Sequence, residues 1–505
     1  MTDSQRDSAA PPSSGLSARL SASVAAIAVA QLVLLIATSS RYGYHRDEMY
    51  FIVAGSHPAL GYPDQPPLVP LICWAMNHLA PGSLLVLRLP SALMAAATTV
   101  LAGLVAREIG GRARAQVIAA SCAAVSGFAL ATGHFVTTTT FDLLSTTAVC
   151  WMLIRAVMRH SGPSLLAAGV LAGVGFEAKP QVAFVAVIAV AMLGFVGPRW
   201  PFHSLWMAAG VGAALVLAAP YAVWQAAHGW PQLTVAANIG GSAEGGRAGF
   251  LPFQLVMVSP VLIPVWIAGL AVPFRRTSLR GLRFVPLLYG VLALAYLLGN
   301  GKAYYLASMY PALLGMGALP IAEWTTRSRR TVRTILLSAG VALSLVVSAF
   351  IALPLLPVTK LQGSAVMALN PDQGETVGWP RFIRTVSTAW NSIPAAERGH
   401  TVIFTENYGE AGAIDLLGGA HGLPRAYSGH NGFTEWGQPS SNATAALLLG
   451  YQNPADAAPY FGDCATVATI DNGVGLNNDE QGLLVMLCHP TSSWATLWPQ
   501  LRHYN

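Results

Sequence analysis

Charge is what this sequence has least of: Asp, Glu, Lys and Arg together make up 10% of its 505 residues, against about 25% in a soluble domain. That scarcity excludes an ordinary water-soluble fold, and with 54% apolar residues most of the chain faces lipid. Lysine is rarer still, with only Lys179, Lys302 and Lys360. After about Pro357 the long apolar runs are missing as well, so nothing beyond that point can cross a hydrocarbon core of ~30 Å. Length alone would suggest about three domains, but the hydropathy pattern divides the chain into one membrane domain and one tail.

The charge distribution follows the same division. Up to Val358 there are 22 Lys and Arg against 10 Asp and Glu; from Thr359 onward there are 6 against 12. The net charge of +6 is thus the sum of two opposed halves. The basic residues fall in short clusters between apolar blocks rather than along one face, which argues against a nucleic-acid partner.

The apolar blocks predict about eleven spans, near residues 20–38, 86–106, 115–132, 142–158, 163–178, 180–197, 204–224, 251–272, 284–300, 305–322 and 334–354. With a cytoplasmic N-terminus, 16 basic residues lie inside and 6 outside (Arg41, Arg46, Arg88, Lys179, Arg247, Lys302), as the positive-inside rule requires. The first block follows a polar stretch rich in Ser, Ala and Pro and is followed by further spans, so it reads as an uncleaved helix rather than a secretory signal. The expected organisation is a disordered cytoplasmic N-terminus (1–19), a transmembrane domain (20–357) with a first outer loop over about 39–85, and an extracytoplasmic C-terminal domain (358–505). The chain is therefore read as a multi-pass protein of the plasma membrane. In the tail, apolar runs alternate with Gly, Asn and Asp turns, which predicts a small α/β domain.

Cysteine usage supports an exported tail. Cys73, Cys122 and Cys150 lie in apolar stretches, where a buried thiol is the ordinary reading. Cys464 and Cys488 are the only two in the tail. Such a pair suggests a disulfide, with Cα atoms about 4.4–6.8 Å apart; two unrelated thiols are the alternative.

Polar residues concentrate where the composition least favours them. His45, Arg46, Asp47 and Glu48 stand together just after the first span, and adjacent carboxylates beside hydrocarbon mark a functional site by default. Gly61-Tyr-Pro-Asp-Gln-Pro-Pro-Leu68 follows in the same loop, bringing Tyr62, Asp64 and Gln65. Sugar transfer from a lipid phosphate needs a base for the acceptor hydroxyl and cations for the departing phosphate. Asp47 is the candidate base, Glu48 a group to orient acceptor or metal, and Asp142 a third carboxylate at the same depth, with a helix N-cap as its alternative role. Lys179 and Lys302 sit at outer span ends, where the positive-inside bias should exclude them, and suit a phosphate; Arg88 could add a forked donor. Interfacial snorkelling is the alternative for these cations, and an aromatic belt is the alternative for Tyr304 and Tyr305. A divalent cation, Mg or Mn, is compatible with the carboxylates, though no cofactor is certain.

These residues bring a family to mind. Arg46-Asp-Glu-Met-Tyr50, Asp64-Gln-Pro-Pro-Leu68, Arg88-Leu-Pro-Ser91, Phe141-Asp-Leu-Leu144, Glu177-Ala-Lys-Pro180 and Lys302-Ala-Tyr-Tyr-Leu-Ala-Ser-Met-Tyr-Pro311 resemble the GT-C glycosyltransferases of the protein O-mannosyltransferase and lipid A aminoarabinose transferase type. The resemblance implies a polytopic α-helical GT-C fold, a polyprenyl-phosphate sugar donor and transfer with inversion. It also implies a catalytic carboxylate at Asp47 and donor-phosphate contacts from Arg46, Arg88, Lys179 and Lys302. One departure is Gln65, where members often carry a Lys. Thr405-Glu-Asn-Tyr-Gly-Glu-Ala-Gly412 and Tyr427-Ser-Gly-His-Asn-Gly-Phe433 look like the tails of actinobacterial members, which makes Glu406, Asn407, Tyr408 and His430 candidate acceptor contacts. The acceptor would be an envelope glycan, lipid or protein, and the sugar mannose or another hexose or pentose. The rival classes are a flippase of lipid-linked sugar, which would place ionisable groups near the midplane, and a non-catalytic lipid-binding assembly protein, which would be expected to lose the Asp-Glu pair.

Overall fold

The computed structural model describes residues 19–241 and 246–505. The N-terminal stretch expected to be disordered lies, apart from Arg19, outside the described residues.

Among the described residues sixteen α-helices precede the tail: α1 (Ala22–Thr38), α2 (Arg46–Gly55), α3 (Leu68–Leu79), α4 (Leu84–Glu108), α5 (Ala113–Val125), α6 (Gly127–His134), α7 (Thr138–Arg159), α8 (Gly162–Phe176), α9 (Gln181–Val196), α10 (Leu205–Ala227), α11 (Pro231–Gly241), α12 (Gly246–Val258), α13 (Ile263–Arg275), α14 (Phe284–Leu298), α15 (Tyr310–Thr326) and α16 (Arg330–Ala352). Each of the eleven apolar blocks coincides with a helix or a bent pair. Five helices among the described residues are long and apolar enough to cross a membrane, and seven if the pairs α5–α6, bent by 57°, and α12–α13, bent by 82°, each count once. The other four blocks form α1, α8, α9 and α14, which are 15 to 17 residues long, shorter than the ~20 residues of an upright span. The α12–α13 bend has a local cause: Ser259 takes a left-handed φ of 80° immediately before Pro260, a residue that cannot continue the hydrogen-bond ladder.

The first outer loop is not a plain loop. It holds α2 and α3, and the start of α2 is fixed by a reciprocal cap. The Glu48 carboxylate accepts the His45 backbone N–H at 2.9 Å, while His45 Nδ1 accepts the Asp47 N–H at 3.2 Å. This satisfies two of the donors that a helix start leaves unpaired.

The tail continues with α17 (Ala365–Leu369), α18 (Trp379–Ser392), α19 (Ala395–Arg398), β1 (Thr401–Thr405), α20 (Tyr408–Leu417), β2 (Ala426–Ser428), β3 (Ala445–Tyr451), α21 (Pro454–Ala457), β4 (Phe461–Thr469), β5 (Leu484–Pro490) and α22 (Trp494–Leu501). The strands form one sheet in the order β2-β1-β3-β5-β4. β1 pairs in parallel with β2 and β3, whereas β5 pairs antiparallel with β3 and β4. Cys464 on β4 and Cys488 on β5 are bonded, their Cα atoms 4.1 Å apart, slightly closer than the expected range. Replacing both by Ala should cost about 2–4 kcal/mol, the usual worth of a closed loop of this size; chemical denaturation followed by tail tryptophan fluorescence would measure it.

The tail does not stand apart from the membrane domain. Met49, Tyr50, Ile52 and Val53 of α2 share one buried cluster with Phe382 and Val386 of α18, Ile403 of β1 and Ala411 and Ile414 of α20. Glycine permits this approach: a Cβ on Gly409 would come within 2.8 Å of Arg46 Cβ, and one on Gly412 within 3.1 Å of the Tyr50 nitrogen. Any larger residue would push α20 off α2.

Candidate active site

The docking of α20 on α2 brings the Tyr408 hydroxyl to the proposed base: it donates to Asp47 Oδ1 at 2.8 Å across 361 residues of sequence. Asp47 also lies 3.8 Å from His45 Nδ1 and keeps part of its side chain exposed. Tyr304 lies within electrostatic reach of both Asp47 and Tyr408. Lys179 Nζ sits over the rings of Tyr304 and Tyr305, 5.4 and 5.1 Å from their centroids, and donates to Thr139 Oγ1 at 3.0 Å. It feels the charges of Asp142 and Lys302, and burial lowers its pKa to about 8. Among the described residues neither lysine has an ion-pair partner. Asp142 is buried and accepts the Thr146 hydroxyl at 2.9 Å; the N-cap of α7 is Thr137, not Asp142. Tyr304 thus stands between two groups, Asp47 with Tyr408 and Lys179 with Tyr305, Asp142 and Lys302.

Several expected site residues have other work. Glu48 and Arg88 form a closed pair, 0% and 1% exposed: Arg88 Nε and Nη2 each donate to a Glu48 oxygen at 2.8 Å, and Nη1 and Nη2 reach the Ser39 and Gly43 carbonyls at 2.6 and 2.7 Å. Glu48 also accepts the Val136 N–H at 3.0 Å. With four of its five N–H groups used internally and its side chain buried, Arg88 is closed to a phosphate, and Glu48 has none of its carboxylate free for acceptor or metal. Both hold α2 in place. Arg46 turns toward the tail and pairs with Asp479. His45 caps α2 and stacks on Phe135. Tyr62 donates to the Ala54 carbonyl at 2.7 Å.

Asp64 accepts the Tyr50 hydroxyl at 2.7 Å, and burial pushes its pKa up to about 7. Gln65 is buried beside Tyr50. In the tail, Asn407 caps α20 by accepting the Gly409 N–H at 2.7 Å. His430 lies behind Tyr408, hydrogen-bonded to Asn505 and driven to about 3 by burial, so it is neutral and supports the tyrosine ring. Glu406 faces a separate cavity.

The sequence reading missed Tyr50, Thr139 and Asp479, which carry no local pattern. Among the described residues no three His, Cys, Asp or Glu side chains gather as a metal cluster.

Residues 64–224, about a third of the chain, match the family described as dolichyl-phosphate-mannose-protein mannosyltransferase; Asp47 and Glu48 lie before the matched segment. No curated protein matches the chain by sequence. Among solved structures, ArnT from Cupriavidus metallidurans, bound to undecaprenyl phosphate, aligns over 92% of this chain and 97% of its own at 14% identity, with a TM-score of 0.58. The arabinofuranosyltransferase AftD from Mycobacteria aligns over 93% of this chain and 40% of its own at 14% identity, with a TM-score of 0.54. The archaeal oligosaccharyltransferase AglB from Archaeoglobus fulgidus, in complex with an inhibitory peptide and a dolichol-phosphate, covers 78% of this chain and 63% of its own at 14% identity, with a TM-score of 0.50. The chain thus shares the fold of these solved structures, and its residues 64–224 resemble the mannosyltransferase family.

Proposed function

We propose that this protein transfers a sugar, mannose or another hexose or pentose, from a polyprenyl-phosphate carrier to an acceptor outside the cytoplasm, with inversion at the anomeric carbon. The observations that support this reading are the Tyr408 hydrogen bond to Asp47 and, joined to it through Tyr304, Lys179 with Lys302 beside it. Two of the similar structures hold polyprenyl phosphates, in keeping with a lipid phosphate donor here. In the proposed step Asp47 takes the proton of the acceptor hydroxyl, whose oxygen attacks the anomeric carbon. The bond from that carbon to the phosphate oxygen breaks, and the electron pair leaves on a phosphate neutralised by the lysines. Tyr408 orients the carboxylate, and Tyr304 and Tyr305 wall the sugar space.

The N-terminus is proposed to be cytoplasmic and the tail exported. The basic-residue bias and the Cys464–Cys488 bond support that orientation, since such bonds persist in oxidising compartments. Purified protein given radiolabelled polyprenyl-phosphate mannose or arabinose and envelope fractions should move label to the fraction, and Lys302→Ala should weaken donor binding as well as rate. Absence of transfer from any lipid-phosphate sugar, with donor bound and released intact across a bilayer, would favour the flippase reading instead.

A further inference from the structure

The tail holds a second cavity of about 840 Å³, well within the range of about 300–1,000 Å³ of small-molecule sites and far larger than a cation requires. It opens beyond the carboxyl ends of β1 and β3. The chain leaves β1 for β2 on one side and returns in β3 on the other, so this is a topological switch point, where open sheets bind ligands. Glu406 and Asn407 follow β1, and Gln452 and Asn453 follow β3.

The chemistry of the walls narrows the occupant. Carboxylates dominate, with Glu406, Glu410, Asp456, Asp479 and Glu480 against His503. Two of them leave an oxygen unpaired: Glu410 and Glu480 are 3% and 8% exposed, and among the described residues Oε2 of each has no hydrogen-bond partner. Buried polar atoms left unpaired cost roughly 1–3 kcal/mol each, a penalty that a ligand offering hydrogen-bond donors removes. Burial raises the pKa of both carboxyls. The side-chain amides of Asn407, Gln452, Asn453 and Asn477, with the rings of Tyr451 and Tyr460, complete a surface that matches sugar hydroxyls and ring faces and repels phosphate or uronate.

We infer that this cavity binds a neutral, polyhydroxylated sugar unit of the acceptor glycan, at a distance from the reacting hydroxyl. Two of its lining residues adjoin the proposed active site, one by sequence and one by an ion pair. Asn407 precedes Tyr408, which holds Asp47, and Asp479 pairs with Arg46. Naming the ligand as acceptor rests on the transferase reading; the binding itself does not.

The test is saturation-transfer NMR on the full-length protein in detergent, without donor, using mannotetraose, arabinotetraose and tetragalacturonate. Binding of at least one neutral tetrasaccharide and none of the anionic one is expected. Asn453→Trp, an exposed position at the cavity wall, should weaken that binding at least tenfold, and Asp47→Asn should leave it unchanged. Failure of both neutral sugars, equal binding of the uronate, or unchanged binding by Asn453→Trp would overturn the inference. Because this assay contains no donor, its outcome is independent of transfer, and failure of the separate transfer assay with labelled donor would sink only the transferase reading.

Discussion

Asp47→Asn is expected to lower transfer in a single-turnover assay by about 10²- to 10⁴-fold, the usual contribution of a positioned general base, with donor affinity largely retained. The amide keeps the size of the side chain and can still accept the Tyr408 hydroxyl, which donates to Asp47 at 2.8 Å, so the docking of α20 should survive. What it cannot do is take a proton from the acceptor. Near wild-type transfer by this variant would put the base elsewhere, and Asp142 would be the next carboxylate to replace. Glu48, closed off by Arg88, would not.

Arg88→Met should instead strike stability, by about 3–5 kcal/mol, because it leaves the Glu48 carboxylate buried without its counter-charge. The Ser39 and Gly43 carbonyls lose their donor as well. The double variant Glu48→Met with Arg88→Met should recover part of the loss. It should not recover all of it, since the Val136 and His45 N–H groups would remain without the carboxylate they now reach. Thermal unfolding of the detergent-solubilised protein measures all three. A stable Arg88→Met protein that had lost donor affinity would restore the arginine to the phosphate site and refute the structural role.

Arg88 shows where sequence reading runs out. A cation at the outer end of a span has the same local signature whether it waits for a phosphate or closes on a carboxylate 40 residues away, and only the folded chain distinguishes them. The apolar blocks were legible because crossing hydrocarbon imposes a length and composition on each. Helix α3 was not, since its 12 residues fall short of that length and it reads as loop. The cap at His45 was hidden because histidine is outside the usual Ser, Thr, Asp and Asn set, although Glu48 three residues on completes the box. The Asp47 region stood out by its adjacent charges, and the tail motif around Tyr408 by its polar side chains, but nothing in either stretch says that they touch. That contact depends on Gly409 and Gly412, and sequence alone does not say which of the chain's 49 glycines serve close packing.

The glycine-lined seam between α2 and α20 also sets an order of events during synthesis. Residue 47 is made and inserted long before residue 408 exists, so the carboxylate waits without its tyrosine while all the later helices enter the membrane. Only when α20 has folded and settled on α2 does Asp47 acquire its hydrogen bond. Chains stalled partway through synthesis therefore carry Asp47 and the lysines but lack the Tyr408 contact that completes their arrangement.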